Sequence, residues 1–149
     1  MAKFIFRMQS ILNIKSRLEE QAKQEFALAR RALDEAQERL RALYGRKDDY
    51  LEEGRKLQDD RLHVQDIIDN RTYIMTIEGY IDLQQIAVER AEKLLEEARL
   101  KMTEATKERK TYERLREKAF AEYVREEDIR EMKEVDELTS YKYAVRENV

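Results

Sequence analysis

The chain has 149 residues, of which 42% are charged and 42% hydrophobic, and its 30 basic and 33 acidic residues give a net charge of −3. This balance argues against a general nucleic-acid binder, which needs a concentrated basic surface. The chain has no cysteine, which excludes a disulfide framework and thiolate chemistry. It also has no proline and only three glycines, so we expect long, unbroken helices.

The first eighteen residues form a basic amphipathic segment. It contains Lys3, Arg7, Lys15 and Arg17, and no acidic residue precedes Glu19. Because charges interrupt its apolar residues, we do not expect a secretory signal. One end of a coiled coil, a tip that inserts into a partner and a helix on a membrane surface remain open for this segment.

A seven-residue repeat begins a little further along the chain. Alanines recur every seven residues and alternate with large apolar residues, the order being Ala22, Phe26, Ala29, Leu33, Ala36 and Leu40. Positions spaced four and three apart stay on one face of a supercoiled helix and form the seam of a coiled coil. The pattern predicts a first helix over about residues 4–60.

A change of direction is predicted next. Residues 59–70 are rich in Asp and Asn, which favour caps and turns over helix interiors. We place the turn at about residues 61–68. His63, the only histidine, falls in this turn and is expected to be exposed.

The seven-residue repeat then returns. Its members are Val88, Ala91, Leu95, Ala98, Met102 and Ala105. The pattern predicts a second helix over about residues 69–140. Because this helix is longer than the first, its part beyond about residue 125 is expected to be unpaired. That part has eight acidic against three basic residues between positions 122 and 137, which is typical of a solvated face or of a tail that contacts a partner.

Facing the two seams against each other predicts an all-α fold, an antiparallel coiled-coil hairpin that forms one domain over residues 1–149. In an antiparallel pair of helices, the residue numbers of two facing positions add up to a constant, which we call the pair sum. A pair sum of 131 sets Phe26 against Ala105 and Lys47 against Gln84, with the reversal near residue 65. A pair sum of 124 corresponds to a shift of one heptad, which keeps every side chain on the same face of its helix. This register stays open as an alternative. Lys15 opposes an arginine in either register, which predicts splayed ends.

An excess of apolar surface follows the predicted turn. Tyr73, Tyr80 and Leu83 lie off the seam, so the apolar face is wider than one opposing helix covers. Exposed tyrosines with apolar neighbours are typical of protein-binding surfaces. The alternative is that the turn folds back over them.

No pattern typical of catalysis is present. The three glycines are isolated, so they form no phosphate-binding loop, and carboxylates on exposed helices lack the desolvation that acid–base catalysis requires. We therefore expect a non-enzymatic protein without metal or cofactor.

Four segments together carry a family resemblance. They are FIFRMQSILNIK at residues 4–15 with Glu19 and Glu20 following, YIMTI at 73–77, RKTYERLREK at 109–118 and EVDE at 134–137. In this order the sequence resembles FliJ, the coiled-coil component of the bacterial flagellar type III export apparatus, over nearly the whole chain.

The resemblance implies a hairpin similar to the central stalk of rotary ATPases. It implies two partners, the hexameric export ATPase FliI and the export-gate membrane protein FlhA, and export chaperones as a third class. It also implies a cytoplasmic protein, peripheral to the membrane at the flagellar base and monomeric when alone. A stalk subunit of a rotary ATPase, a virulence secretion component and a purely structural coiled coil are the alternatives.

Residues in matching positions take their roles from the resemblance. The gate-binding surface falls on Tyr73, Ile77, Tyr80 and Gln84. The ends that would enter the ATPase ring carry Phe4, Phe6, Met8 and Tyr123.

Overall fold

The computed structural model of the protein describes residues 3–59 and 63–148. It contains two long helices, α1 (Gln9–Asp59) and α2 (Val64–Glu147), which pair antiparallel as a coiled-coil hairpin. The predicted fold class is confirmed. In the described ranges, neither helix holds an apolar stretch long enough to cross a membrane.

The helix limits differ from the predicted ones. Helix α1 begins at Gln9 rather than near residue 4, and α2 begins at Val64 rather than near 69 and ends at Glu147 rather than near 140. The connection therefore lies between Asp59 and Val64, ahead of the reversal predicted near residue 65, and residues 60–62 are outside the described part. Backbone hydrogen bonds to the carbonyl of His63 from Asp66 (3.1 Å) and Ile67 (3.3 Å) close the first turn of α2.

The start of α1 is late because the preceding residues adopt another conformation. Burial alternates over Phe4, Ile5 and Phe6, with the two phenylalanines half-buried and Ile5 exposed. These residues belong to neither helix, and regular helix begins only at Gln9. The ring of Phe4 meets that of Phe120 on α2.

The chain divides into two compact units. The terminal unit combines the chain up to Glu19 with the chain from Glu104 onwards, and the turn unit comprises Glu20–Thr103. Each helix contributes to both units, and each unit is held together by contacts between its own parts of α1 and α2.

In the turn unit, the alternating alanines and large residues form the core. Leu33, Val88 and Ala91 are buried together, and Leu40 and Leu95 pack against them. The small alanine leaves room for the large side chain from the opposite helix, as in other coiled-coil seams. The seam residues predicted from the repeat are the ones that face the opposite helix.

The register is the alternative one, and the preferred pair sum of 131 is wrong. Leu33 packs with Ala91, not Ala98, which corresponds to a sum of 124. Gly54 also lies against Asn70, where a Cβ on Gly54 would come within 2.7 Å of Asn70 Oδ1. A shift of one heptad keeps every side chain on its face, so only such specific contacts fix the register.

The polar layer predicted between Lys47 and Gln84 is absent from this register. Gln84 Nε2 instead donates a hydrogen bond to the backbone carbonyl of Ala36 at 3.0 Å. Lys47 Nζ lies 3.5 Å from a carboxylate oxygen of Glu78. Each polar seam residue therefore finds its own partner on the other helix.

Ion pairs join the helices in the terminal unit, contrary to the prediction of splayed ends. Lys15 Nζ donates to Glu108 Oε2 at 2.8 Å, and Arg109 Nε donates to Glu19 Oε2 at 2.7 Å. Arg109 also lies 2.6 Å from a carboxylate oxygen of Glu113, one helical turn away. The basic residues avoid one another because each reaches along the helix to a carboxylate.

The last part of α2 is exposed. From residue 128 to residue 148 every described residue is exposed, including Met132, Val135 and Leu138. Such a helix has no packed face to stabilise it, so its stability depends on its own backbone hydrogen bonds and local charge pairs.

Candidate partner-binding surfaces

The predicted gate-binding residues separate into two pairs. Tyr73 and Tyr80 are 54% and 55% exposed, whereas Ile77 is only 5% exposed. Gln84 is half-buried and bound to the Ala36 carbonyl. Their spacing of four, three and four residues keeps all four within about 60° around the helix. Ile77 and Gln84 face α1, whereas Tyr73 and Tyr80 lie at the edge of the same face and remain exposed.

Three further apolar side chains are exposed near this pair in the sequence. Met75, Leu83 and Ile86 are all more than half exposed on the same stretch of α2. The described part of the chain does not cover these side chains. The ring of Tyr73 stacks on that of Tyr50 of α1, and the two ring centroids are 5.6 Å apart. Leu83 lies within about 80° of the two tyrosines around α2, whereas Met75 and Ile86 lie on the far side of the helix. We call Tyr73, Tyr80 and Leu83 the aromatic patch.

A depression opens beside Tyr73. It has a volume of about 500 Å³, and Tyr50 and Tyr73 line it together with Asp66, Asp69 and Lys56. Tyr50 lies on α1, across from Tyr73. Its part in this surface depends on the register, because the pair sum of 124 is what brings it against Tyr73.

The four residues predicted to contact the ATPase ring come together in the terminal unit. Phe4, Phe6, Met8 and Tyr123 all line one open depression of about 910 Å³ between the N-terminal segment and α2. The centroids of the Phe4 and Tyr123 rings are 5.5 Å apart. We call these four residues the terminal cluster.

Phe120 belongs to this surface and was missed by the sequence reasoning. Its ring meets Phe4 edge-to-face at 5.2 Å, while half of its surface remains exposed. The guanidinium of Arg116 lies 5.8 Å from the centre of the Phe4 ring, within cation–π range. Phe120 lies one residue off the seam, so the seven-residue repeat gave no signal for it.

Two ion pairs fix the helices beneath the terminal cluster. The carboxylate of Glu19 is buried at 6% exposure and is bound by Arg109, whose pKa is raised by the hydrogen bonds to Glu19 and Glu113. The hydrogen bond to Glu108 likewise raises the pKa of Lys15. Each ion pair therefore links α1 to α2 in the terminal unit.

Comparison with known proteins agrees with this architecture. The family model of the flagellar FliJ protein matches residues 4–148. A solved structure of the Chlamydia trachomatis protein CT670, described as a YscO homolog, aligns with a TM-score of 0.71 and 24% identity, covering 98% of this chain and 99% of that one. No curated protein matches the sequence significantly.

The family match extends over the whole of both helices, including the aromatic patch and the terminal cluster. The likeness to CT670 shows the same fold over the full length. The chain therefore belongs to the family of flagellar FliJ proteins, which are components of the type III export apparatus.

Proposed function

We propose that the protein couples the hexameric export ATPase to the membrane export gate, without catalysing a reaction itself. The terminal unit contacts the ATPase ring, and the turn unit contacts the gate protein. The protein acts on the cytoplasmic side of the membrane at the flagellar base, where export chaperones are a further class of partner.

The observation that supports coupling is the presence of two exposed surfaces, one in each unit. The aromatic patch belongs entirely to the turn unit, and the terminal cluster belongs entirely to the terminal unit. A protein with a single partner would need one such surface. Two separate surfaces allow both partners to be bound by one chain.

We assign the gate contact to Tyr73 and Tyr80. Their rings are exposed, and a tyrosine offers both apolar area and a hydroxyl to a partner. Ile77 and Gln84 contribute indirectly, because their contacts with α1 set the rotation of α2 and so the direction of the two tyrosines.

The double substitution Tyr73→Ala with Tyr80→Ala tests this assignment. We expect the variant to lose binding to the purified cytoplasmic domain of the gate protein while keeping its helicity and its binding to the ATPase. Surface plasmon resonance with each partner and circular dichroism measure these three properties.

The chain offers a matched control. Tyr141 and Tyr143 are also more than two-thirds exposed, but they lie on the exposed last part of α2 in the terminal unit. Tyr141→Ala with Tyr143→Ala should leave gate binding unchanged. If the two double variants affect gate binding equally, or if the first also loses the ATPase, the assignment fails.

The full-length likeness to the YscO homolog favours a second candidate, the corresponding role in a virulence secretion system. The stalk of a rotary ATPase would use a similar hairpin. Deletion of the gene separates these cases. Loss of flagellar filaments supports the flagellar role, whereas normal filaments with loss of effector secretion support the virulence role.

A further inference from the structure

A row of basic residues runs along α2 in the terminal unit. Its members are Lys107, Lys110, Arg114, Lys118 and Arg125, and all five are exposed. The first four are spaced three, four and four residues apart, and Arg125 follows seven residues after Lys118. Side chains at these spacings lie on one side of a helix. We call this row the basic stripe.

The basic stripe faces away from α1. The seam of α2 in the same region passes through Ala105, Arg109 and Tyr112, so the stripe is offset from it by two residues. Two residues correspond to a rotation of about 200° around the helix. The five cations therefore occupy the outer side of α2, over a length of about 27 Å.

Within residues 3–59 and 63–148, no acidic side chain pairs with any of these five cations. Among the described residues, none of the five has a side-chain hydrogen bond or ion pair, whereas Lys15 and Arg109 on the seam side are both paired. Five unpaired like charges on one side of a helix repel one another and destabilise the free protein slightly. This repulsion would be relieved by an acidic partner.

The width of the stripe limits what that partner is. Glu117 lies on one flank, and Glu104 and Glu122 lie on the other, each about 60–80° from the centre of the stripe. A flat lipid surface or a broad nucleic-acid backbone would meet these carboxylates as well as the cations. A narrow row of carboxylates from a protein meets the cations alone.

We propose that the basic stripe is a docking surface for a carboxylate-rich protein segment, and that in the export apparatus this segment belongs to the ATPase ring. The assignment to the ring rests on the function proposed above, in which the terminal unit contacts the ATPase. The stripe adds long-range attraction to the short-range apolar contacts of the terminal cluster, and attraction of this kind mainly accelerates association.

Charge reversal tests the stripe. The triple variant Lys107→Glu, Lys110→Glu, Arg114→Glu changes only exposed side chains and leaves the seam intact. The control variant Arg71→Glu, Arg90→Glu, Lys93→Glu makes the same change in net charge on exposed cations of the turn unit. Association with the purified ATPase hexamer is measured by stopped flow at low and at high salt.

At low ionic strength we expect the stripe variant to associate about tenfold or more slowly than wild type, and the control variant to associate nearly as fast as wild type. The difference should disappear near 1 M salt, where the screening length falls to about 3 Å. Equal rates for both triple variants at low salt would overturn the inference while leaving ATPase binding itself established.

A second arm uses polyanions in place of the ATPase. Poly-L-glutamate should bind wild type and the control variant but not the stripe variant. If vesicles of anionic lipid or duplex DNA bind through the stripe more tightly than poly-L-glutamate does, the assignment to a protein is wrong. If wild type fails to bind the ATPase but binds poly-L-glutamate through the stripe, the proposed function fails and the carboxylate preference stands.

Discussion

At Gly54 the backbone of α1 lies close to the side chain of Asn70 on α2. A Cβ at this position would come within 2.7 Å of Asn70 Oδ1, and Asn70 is held in place because its Nδ2 donates to the Tyr50 carbonyl at 2.9 Å. Gly45 has open space around it. A side chain therefore fits at Gly45 without any rearrangement, whereas at Gly54 it requires Asn70 to move.

Alanine substitution distinguishes them. Gly45→Ala should stabilise the protein by about 0.4–1 kcal/mol, because it reduces the freedom of the unfolded chain. Gly54→Ala must displace Asn70 and break its hydrogen bond. Its free energy of unfolding should therefore be about 1 kcal/mol lower than that of Gly45→Ala. Chemical denaturation measures both. The shortfall should vanish in an Asn70→Ala background, and its persistence there would show that Asn70 is not the cause.

The ion pair of Lys15 with Glu108 predicts a dependence on pH. The hydrogen bond raises the pKa of Lys15 above its ordinary value of 10.5 in the folded protein. The pair therefore stabilises the fold fully below that ordinary value, and its contribution is lost as pH rises through the raised pKa.

Lys15→Gln should consequently lower the melting temperature at neutral pH by more than it does at strongly alkaline pH. Glu108→Gln removes the same pair and should show the same convergence with wild type. Thermal melts followed by circular dichroism measure both differences. A deficit that is independent of pH would assign the effect to packing of the side chain instead.

At the scale of the elements, the sequence predicted which face of each helix is buried but not which residues meet. The alternation of Leu33 with Ala36 and of Val88 with Ala91 is sufficient to define the seam. A shift of seven residues leaves that alternation unchanged, so the register depends on individual contacts such as Gly54 with Asn70. These contacts depend on where individual side chains are placed, and the seven-residue repeat carries no information about that.

The register can be tested with a pair of cysteines, since the chain has none of its own. The variant Leu33→Cys with Ala91→Cys should form an intramolecular disulfide, because these two residues pack together in the core. Leu33→Cys with Ala98→Cys should remain reduced under the same conditions. Mobility on non-reducing gels measures the outcome, and the reverse result would restore the pair sum of 131.

The candidate sites were predictable to different degrees. The exposure of Tyr73 and Tyr80 follows from their position off the seam, and the structure agrees. The burial of Ile77 follows from the same pattern, which conflicts with the surface role that the family resemblance implied. The late start of α1 and the contact of Phe4 with Phe120 were not predictable, because the short segment ahead of the helix gives too little periodicity to detect.

At the scale of the whole molecule, the chain forms two compact units with surfaces of different chemistry. The turn unit presents an apolar and aromatic surface, and the terminal unit presents an aromatic cluster and a basic stripe. Each proposed partner is thereby assigned to a separate unit. Coupling requires that one molecule of the protein binds both partners at the same time.

The most direct measurement of coupling is therefore a three-component binding experiment. The gate domain is immobilised, the protein is bound to it, and the export ATPase is added. We predict that the ATPase is retained only when the protein is present, and that Tyr73→Ala with Tyr80→Ala prevents its retention without weakening the binary complex of protein and ATPase. If the ATPase instead displaces the protein from the gate domain, the two partners compete for one surface and the coupling role is contradicted.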